Sequence, residues 1–368
     1  MTTRHESDSP PRRIAFFISP HGFGHAARAA GVMEAMAEIE SSILFDIFTT
    51  VPAWFFSYSD TFAYRYHSLL TDIGLVQKSP FQEDLPATVE HLKNFLPFDQ
   101  KQIASLAEKI RHIKCELVIC DIAPMGILIA GEAGVPSVLI ENFTWDWIYQ
   151  GYAEAGMNAF SQYLQSIFAE ATCHIQTQPI CNPTPVDFTA APTSRKIKTP
   201  SGRIRQKLGL TQSAKVIMIT AGGVPKIYGF MEKLKNQTAA HFIIAGSGDS
   251  VNFQDNLILL PENSEFFHPD LVNASDAVIG KAGYSTIAEV YHAGIPFGYC
   301  ARAHYRESAP LVNFIENKMH GFVIGQSEFN NGDWIDRIEE LLALPRVQRN
   351  TSNGADQIAG FISGLLKQ

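Results

Sequence analysis

The sequence has few charged residues and no excess of positive charge. Charged residues make up 18% of its 368 residues, and the formal net charge is −8. A chain with this balance offers no general electrostatic attraction to nucleic acid or to anionic lipid. The longest apolar stretch, residues 121–140, contains Asp121, Glu132 and two prolines. We therefore expect no nucleic-acid partner and no membrane span, while peripheral contact with a membrane stays open.

Paired cysteines, a secretion signal and a metal-binding D-x-D motif are also missing. The five cysteines are odd in number and include no C-x-x-C pair, which is typical of reduced thiols in a cytoplasmic protein. Residues 1–12 are polar without an apolar centre, so we expect a disordered tail rather than a signal peptide. No D-x-D motif stands at a strand end, so we expect no metal site, and no cofactor.

Short apolar runs alternate with helical patterns along the first half of the chain. The apolar runs cover residues 14–19, 43–49, 117–120 and 137–140, and the helical patterns cover residues 24–39 and 124–133. Gly134 and Pro136 separate the second helix from the strand that follows. Strands that are apolar on both faces and alternate with helices predict a parallel sheet.

A proline-rich stretch divides this half from a second one of the same kind. Residues 178–201 carry five prolines, and strand-like runs resume at residues 216–220, 242–245, 257–260, 277–279 and 296–299. We predict an N-terminal domain (13–180), a linker (181–201), a C-terminal domain (202–352) and a final helix (353–368). The fold class is α/β, with two Rossmann-like domains whose parallel sheets face a central cleft that binds a small ligand. Periplasmic binding proteins and some epimerases share that outline.

The turn after the first strand, residues 20–25, contains two glycines and two histidines. It does not match a nicotinamide fingerprint, because no acidic residue follows the second strand. Near neutral pH His25, at the helix start, can accept a proton from a hydroxyl group. Asp121, at the end of a neighbouring strand, could orient that imidazole. The structural alternatives are that the histidines bond to loop carbonyls and that Asp121 caps the helix beginning at Pro124.

The second half offers glycine-containing loops at the ends of its strands. Gly222, Gly223 and Gly246 lie in two of them, and a third leads into a helix near Tyr284. Free N–H groups at that helix start suit a diphosphate, and Glu289, one turn further on, suits a ribose diol. The alternative is that the Ser285 and Thr286 hydroxyl groups only cap the helix and that Glu289 is exposed to solvent. Residues 302–307, which follow the strand-like run 296–299, could contact sugar hydroxyls or phosphate. The alternative is that they form a solvated loop.

Two of these stretches together resemble the GT-B glycosyltransferase superfamily. They are G-F-G-H-A-A-R at residues 22–28 and A-S-D-A-V-I-G-K-A-G-Y-S-T-I-A-E at residues 274–289. Broad relatives add N-acetylglucosamine to the peptidoglycan lipid precursor. The chain more closely resembles the glycosyltransferase-like amino-terminal region of plant L-arabinokinases and its stand-alone bacterial relatives. The residues that carry this resemblance are 21–26, 121–124, 142–149, 280–284 and 353–356. The resemblance runs from about residue 14 to the C-terminus and implies no kinase activity.

The resemblance implies a role for each matched position. His25 corresponds to the catalytic base and Asp121 to the acid that polarises it. Glu289 corresponds to the ribose-binding carboxylate, and Gly283, Tyr284, Ser285 and Thr286 to the diphosphate-binding helix start. To this donor nucleotide site we add the loop residues Gly222, Gly223 and Gly246, and Phe267, as our own predictions. Beyond these correspondences, we predict that Lys281, Arg302, Arg306 and Glu307 contact the donor sugar and phosphates, and that His21, Phe23, Asn142 and Trp145 lie on the acceptor side. Arg306-Glu307 stands where the family has an Asp-Gln or Gln-Gln pair, which leaves the donor sugar open.

We therefore expect a metal-independent, inverting glycosyltransferase that uses a nucleotide-sugar, favouring a UDP-sugar, and a hydroxyl acceptor. A nucleotide-sugar hydrolase is one alternative, since a similar G-x-G-H turn occurs in the hydrolase of pseudaminic acid synthesis. A non-catalytic protein that binds sugar nucleotides is the other. Nucleotide release without an acceptor would distinguish the first alternative, and binding without turnover would distinguish the second.

Overall fold

A computed structural model describes residues 11–79, 81–154, 156–220 and 228–367. Its strands are β1 (Arg13–Ile18), β2 (Leu44–Thr49), β3 (Ala63–Ser68), β4 (Gln77–Ser79), β5 (Gln82–Glu83), β6 (Cys115–Asp121), β7 (Ser137–Glu141), β8 (Cys173–Thr177), β9 (Phe188–Ala190), β10 (Val216–Thr220), β11 (His241–Ala245), β12 (Asn252–Gln254), β13 (Leu257–Leu260), β14 (Ala277–Lys281), β15 (Phe297–Cys300) and β16 (Gly321–Val323).

The helices of the same residues follow in chain order. They are α1 (Gly24–Ile39), α2 (Leu85–Phe95), α3 (Gln100–His112), α4 (Pro124–Ala133), α5 (Trp145–Gln150), α6 (Met157–Phe168), α7 (Ser201–Lys207), α8 (Met231–Lys235), α9 (His268–Ala274), α10 (Tyr284–Ala293), α11 (Ser308–Lys318), α12 (Gln326–Asn331), α13 (Ile338–Ala343) and α14 (Gly354–Leu365). Short 3₁₀ turns cover Ala53–Phe55 and Asp333–Arg337.

Within the described residues, these strands form two large sheets and one hairpin. The first sheet has the order β3-β2-β1-β6-β7-β8-β9, and its strands pair in parallel. The second has the order β12-β13-β11-β10-β14-β15-β16, with only the β12–β13 pair antiparallel. Both central strands, β1 and β10, lie where the strand order reverses, which is where open α/β sheets bind ligands.

The apolar composition of the strands explains the layers. Ile14 through Ile18 are fully buried, because helices cover both faces of the first sheet. Helices α1 and α4 begin and end at the residues that the sequence pattern predicts, and α4 stops at Gly134, whose φ of 71° is left-handed. All five cysteines are buried.

The structure places ordered contacts inside the predicted linker and at Arg12, the last residue of the predicted tail. Strand β9 lies inside the proposed linker and extends the first sheet, where it pairs in parallel with β8. Arg12, placed in the tail, forms ion pairs with Glu40 and Glu116. The final helix α14 returns to the N-terminal domain and packs along α1, with Ile358 and Ile362 in the core of the first sheet.

A hairpin of the N-terminal domain reaches across to the C-terminal domain. It consists of β4 and β5, which pair in antiparallel fashion. Phe81 at its turn joins the core of the second sheet and lies 5.6 Å from Phe329 between ring centroids. Glu83 pairs with Arg302 at 3.2 Å. The hairpin therefore holds the two domains together beside the cleft.

Candidate functional site

The cleft between the domains contains a cavity of about 540 Å³. Its wall on the N-terminal side comes from the β1–α1 turn, and its wall on the C-terminal side comes from the ends of β14 and β15. The predicted site residues that line it are His21, Phe23, His25, Asn142, Lys281, Gly283, Tyr284, Ser285, Thr286, Arg302 and Glu307. Residues separated by up to 286 positions in sequence (21 to 307) are thus brought to one cavity.

His25 and Asp121 form a buried pair at this cavity. His25 Nδ1 lies 3.0 Å from Asp121 Oδ1. The capping alternative for Asp121 does not apply, because Ala123 is the N-cap residue of α4 and makes no side-chain cap bond. An ionised carboxylate accepts hydrogen bonds only, so the Asp121 contact favours the tautomer with the proton on Nδ1, which leaves Nε2 of the neutral imidazole as the acceptor.

Arg28 holds Asp121 from the other side. Its Nε and Nη2 donate to the two carboxylate oxygens of Asp121 at 2.8 and 2.7 Å, and its Nη1 donates to Asn142 Oδ1 at 2.8 Å. Burial favours the neutral acid, but the charges and hydrogen bonds of Arg28 and His25 hold the pKa of Asp121 below its ordinary value. Asp121 is therefore a fixed anion that orients the imidazole.

A second pocket, on the C-terminal side, adjoins the cavity and shares Phe23, Gly24, Ser285 and Thr286 with it. Gly246, whose φ is +75°, and Glu289 also line it.

Glu289 is already paired within this pocket. Arg195 Nη2 donates to its Oε1 at 3.1 Å, and His268 Nδ1 lies 2.6 Å from its Oε2. Although burial opposes ionisation, the charges of His268 and Arg195 hold the pKa of Glu289 below its ordinary value. The Arg195 guanidinium itself lies 4.8 Å from the ring centroids of both Phe55 and Phe267. Glu289 is therefore a buried anion rather than a solvated surface residue.

The start of helix α10 faces both pockets. Gly283 is its N-cap residue, and its first turn contains no acidic side chain. Free N–H groups at such a terminus attract anions. Arg28 stacks over the Tyr284 ring at 4.7 Å, which links this helix start to the Asp121 cluster.

Two cations stand beside the helix start, the half-buried Lys281 and the buried Arg302. Burial and the nearby Arg302 lower the pKa of Lys281 to about 8. Arg302 stacks on Tyr305 and pairs with Glu83, while Glu307 accepts a hydrogen bond from Asn142 Nδ2 at 3.0 Å. The charges at this end of the cavity are therefore mixed.

Several predicted residues do not face either pocket. Arg306 donates to the carbonyl oxygen of Trp147 and stacks on that ring, so it joins the domains instead of lining the cavity. Phe267 supports Arg195 from behind. Trp145 is fully buried and packs edge-on against His21, with ring centroids 5.1 Å apart. Gly222 and Gly223 lie outside the described residues.

Sequence reasoning missed four residues that the structure places at these pockets: Arg28, Asp72, Arg195 and His268. Arg28 could have been found, because it lies in the G-F-G-H-A-A-R stretch, three positions after His25 on the same helix face. Arg195 lies in the stretch interpreted as a linker, and no local pattern marks it.

Comparison with known proteins agrees with this arrangement. The family model described as glycosyl transferase family 1 matches residues 12–340. The chain is 26% identical over 357 residues to L-arabinokinase of Arabidopsis thaliana, covering 95% of this chain but only 34% of that protein's length. It is 22% identical over 276 residues to a Bacillus licheniformis N-acetylglucosamine transferase that acts on N-acetylmuramyl-(pentapeptide) pyrophosphoryl-undecaprenol, covering 69% of this chain and 71% of that one.

Solved structures confirm the GT-B fold. The calicheamicin glycosyltransferase CalG4 aligns over 97% of this chain and 99% of its own, with a TM-score of 0.66 at 14% identity. The Medicago truncatula protein UGT71G1 complexed with UDP-glucose aligns over 97% and 99%, with a TM-score of 0.63 at 12% identity.

The described residues contain no arrangement typical of a metal site or of a membrane-spanning helix. Among them, no group of three or more His, Cys, Asp or Glu side chains is arranged to hold a metal ion. No helix in that part of the chain has the length and apolar character that a membrane crossing needs.

Proposed function

Because the chain belongs to glycosyl transferase family 1, we propose that it transfers a sugar from a UDP-sugar to a hydroxyl acceptor, with inversion and without a metal ion. The observation that carries this proposal is the His25–Asp121 pair at the cavity, across from the start of α10. A base on one domain and an anion-binding helix end on the other are what a direct displacement needs.

The donor would lie across both pockets. Glu289 would accept hydrogen bonds from the ribose hydroxyls, and the diphosphate would lie at the start of α10, near Ser285 and Thr286. The sugar would then extend into the larger cavity toward Lys281, Arg302 and Glu307. Because Arg195 and His268 already bond to Glu289, nucleotide binding would share or displace those contacts.

In the reaction, His25 Nε2 would accept the proton of the acceptor hydroxyl. The acceptor oxygen would attack the anomeric carbon from the face opposite the diphosphate, and the bond from that carbon to the diphosphate oxygen would break. Asp121 would stabilise the imidazolium, and the N–H groups at the start of α10, with the Lys281 ammonium, would stabilise the charge on the departing UDP.

Replacement of His25 tests this reaction. We expect His25→Ala to lower UDP release from a UDP-sugar in the presence of acceptor by roughly 10²–10⁴-fold, because the base is lost. Asp121→Asn should show a comparable loss, since Nδ1 of His25 would lose its anionic partner. His112→Ala, at an exposed position of α3, is the matched control.

The pattern of UDP release decides among the alternatives. Release that requires an acceptor supports the transferase, and equal release without any acceptor would instead support a hydrolase. Wild-type turnover in His25→Ala would refute the assignment of the base.

A further inference from the structure

One buried carboxyl group at the cavity has no role in the reaction described so far. Asp72 lies between β3 and β4, is 5% exposed and lines the cavity on its N-terminal side. Ser19 Oγ donates to its Oδ1 at 2.9 Å. Among the described residues Asp72 forms no ion pair. A buried carboxyl group without a counter-ion is costly to keep, which points to a use at the cavity.

The Trp145 side chain also lies close enough to interact with the Asp72 carboxyl group. The second oxygen of Asp72 still retains bonding capacity, because each carboxyl oxygen can accept more than one hydrogen bond. The Thr71 hydroxyl has one proton and lies 2.9 Å from the carbonyl oxygen of Ile18, but 3.5 Å from Asp72 Oδ2. The proton therefore goes to Ile18, the closer acceptor. Burial raises the pKa of Asp72 to about 8. At neutral pH the carboxyl group is thus protonated and can both donate and accept a hydrogen bond.

Other polar side chains that could bond to hydroxyl groups surround this end of the cavity. His21, Gln77 and His91 line it together with Asp72 and His25. Burial, with the nearby Arg302, His25 and Lys281, lowers the pKa of His21 well below its ordinary value, so its ring is neutral. Beside apolar residues such as Leu70 and Ile73, these side chains offer hydrogen-bond donors and acceptors that suit the hydroxyl groups of an acceptor.

The size and closure of the cavity limit the acceptor. Its volume of about 540 Å³ must hold the donor sugar as well. The β4–β5 hairpin closes the cleft beside it through Phe81 in the second core and through the Glu83–Arg302 pair. A compact acceptor fits this volume together with a donor sugar.

Building on the transferase reaction proposed above, we propose that the acceptor is a small polyhydroxylated molecule, a free sugar or a polyol, and that Asp72 recognises one of its hydroxyl groups. Asp72 is here a binding residue on the acceptor side, while His25 remains the base. The proposal assigns opposite charge states to two carboxyl groups of one cavity, with Asp121 ionised beside Arg28 and Asp72 neutral.

The test measures UDP release with a panel of acceptors. The acceptors are D-glucose and myo-inositol as polyols, p-nitrophenol as an aromatic hydroxyl compound and a short polyprenol as a lipid. Each acceptor is tested with three donors: UDP-glucose, UDP-galactose and UDP-N-acetylglucosamine. We expect turnover with a polyol. Asp72→Leu should raise the KM for that polyol by roughly 10- to 100-fold while leaving the Kd for UDP unchanged, because a hydrogen bond on the acceptor side is lost.

The conservative variant separates recognition from packing. Asp72→Asn keeps a donor and an acceptor at the same place, so its KM at pH 7 should stay within about threefold of wild type. Asp60→Leu, at an exposed loop position, is the control. If Asp72→Leu does not fold, Asp72→Ala serves for the same comparison.

An unchanged KM in the folded Leu or Ala variant would overturn the role of Asp72. Turnover with p-nitrophenol or the polyprenol but with no polyol would overturn the acceptor class. If UDP binds but no acceptor on the panel supports its release, the proposal for the acceptor fails. If the wild-type protein binds no UDP-sugar and no UDP, the proposed function itself fails.

Discussion

Three buried carboxyl groups at the site differ in charge because their partners differ. Asp121 is held ionised by Arg28, and Glu289 by His268 and Arg195, whereas Asp72 has no cation paired with it in the described part of the chain and bonds to the Ser19 hydroxyl. The meeting of His25 and Asp121 could be predicted, because Asp121 ends β6 and His25 follows the turn after β1, the strand that pairs with β6 in parallel. The approach of Arg195 to Glu289 could not, since it depends on the path of an irregular segment between two domains.

The protonated state of Asp72 predicts a dependence of stability on pH. An unfolded Asp ionises near pH 3.9, whereas the folded one keeps its proton up to about pH 8. Between these values the unfolded state releases a proton that the folded state retains, so the stability of the wild type falls as pH rises. Asp72→Asn lacks this penalty. Its gain in unfolding free energy should grow between pH 4 and pH 8 toward roughly 3–5 kcal/mol.

Urea unfolding at several pH values, followed by tryptophan fluorescence, measures this gain. Asp60→Asn serves as the exposed control. A difference between Asp72→Asn and wild type that stays constant from pH 4 to pH 8 would show that Asp72 is ionised in the folded protein.

Helix α14 shows what an element's sequence pattern can and cannot predict. Its amphipathic pattern predicts a helix near residues 356–366, and the structure has one at Gly354–Leu365, capped by the Asn353 side chain. The pattern shows which face is apolar but not what covers it. The helix follows the C-terminal domain in sequence and yet packs on α1 of the N-terminal domain.

Substitutions in α14 should therefore change the stability of the N-terminal domain. Ile358 is fully buried against the core of the first sheet, so Ile358→Ala should cost about 2–5 kcal/mol through the lost contacts and the cavity. Gly360 is exposed on the same helix, and a Cβ there meets no atom within 4 Å. Gly360→Ala should raise stability by up to about 1 kcal/mol through helix propensity.

Thermal unfolding of the two variants measures both effects. If Ile358→Ala melts like the wild type, α14 does not contribute to the N-terminal core. If Gly360→Ala lowers the melting temperature, that face of the helix is not free.

At the scale of the whole molecule, the sequence was sufficient for the architecture but not for the way the domains meet. Two runs of alternating strands and helices predicted two Rossmann-like domains, and the GT-B structures confirm them. The contacts between the domains come from single side chains, such as Arg28 on Tyr284, Asn142 on Glu307 and Phe81 in the second core. Such contacts leave no periodic signal, because each depends on how the finished surfaces meet.

The central claim is that this cleft binds a nucleotide-sugar with Glu289 on the ribose, and calorimetric titration with UDP tests it most directly. We expect wild-type protein to bind UDP, and Glu289→Gln to bind it about 5- to 30-fold more weakly, because two charge-assisted hydrogen bonds become neutral ones. The amide should still accept from Arg195, so the fold should survive. Glu339→Gln, exposed on α13, should match the wild type. Equal affinity in Glu289→Gln, or no UDP binding by the wild-type protein, would contradict the account.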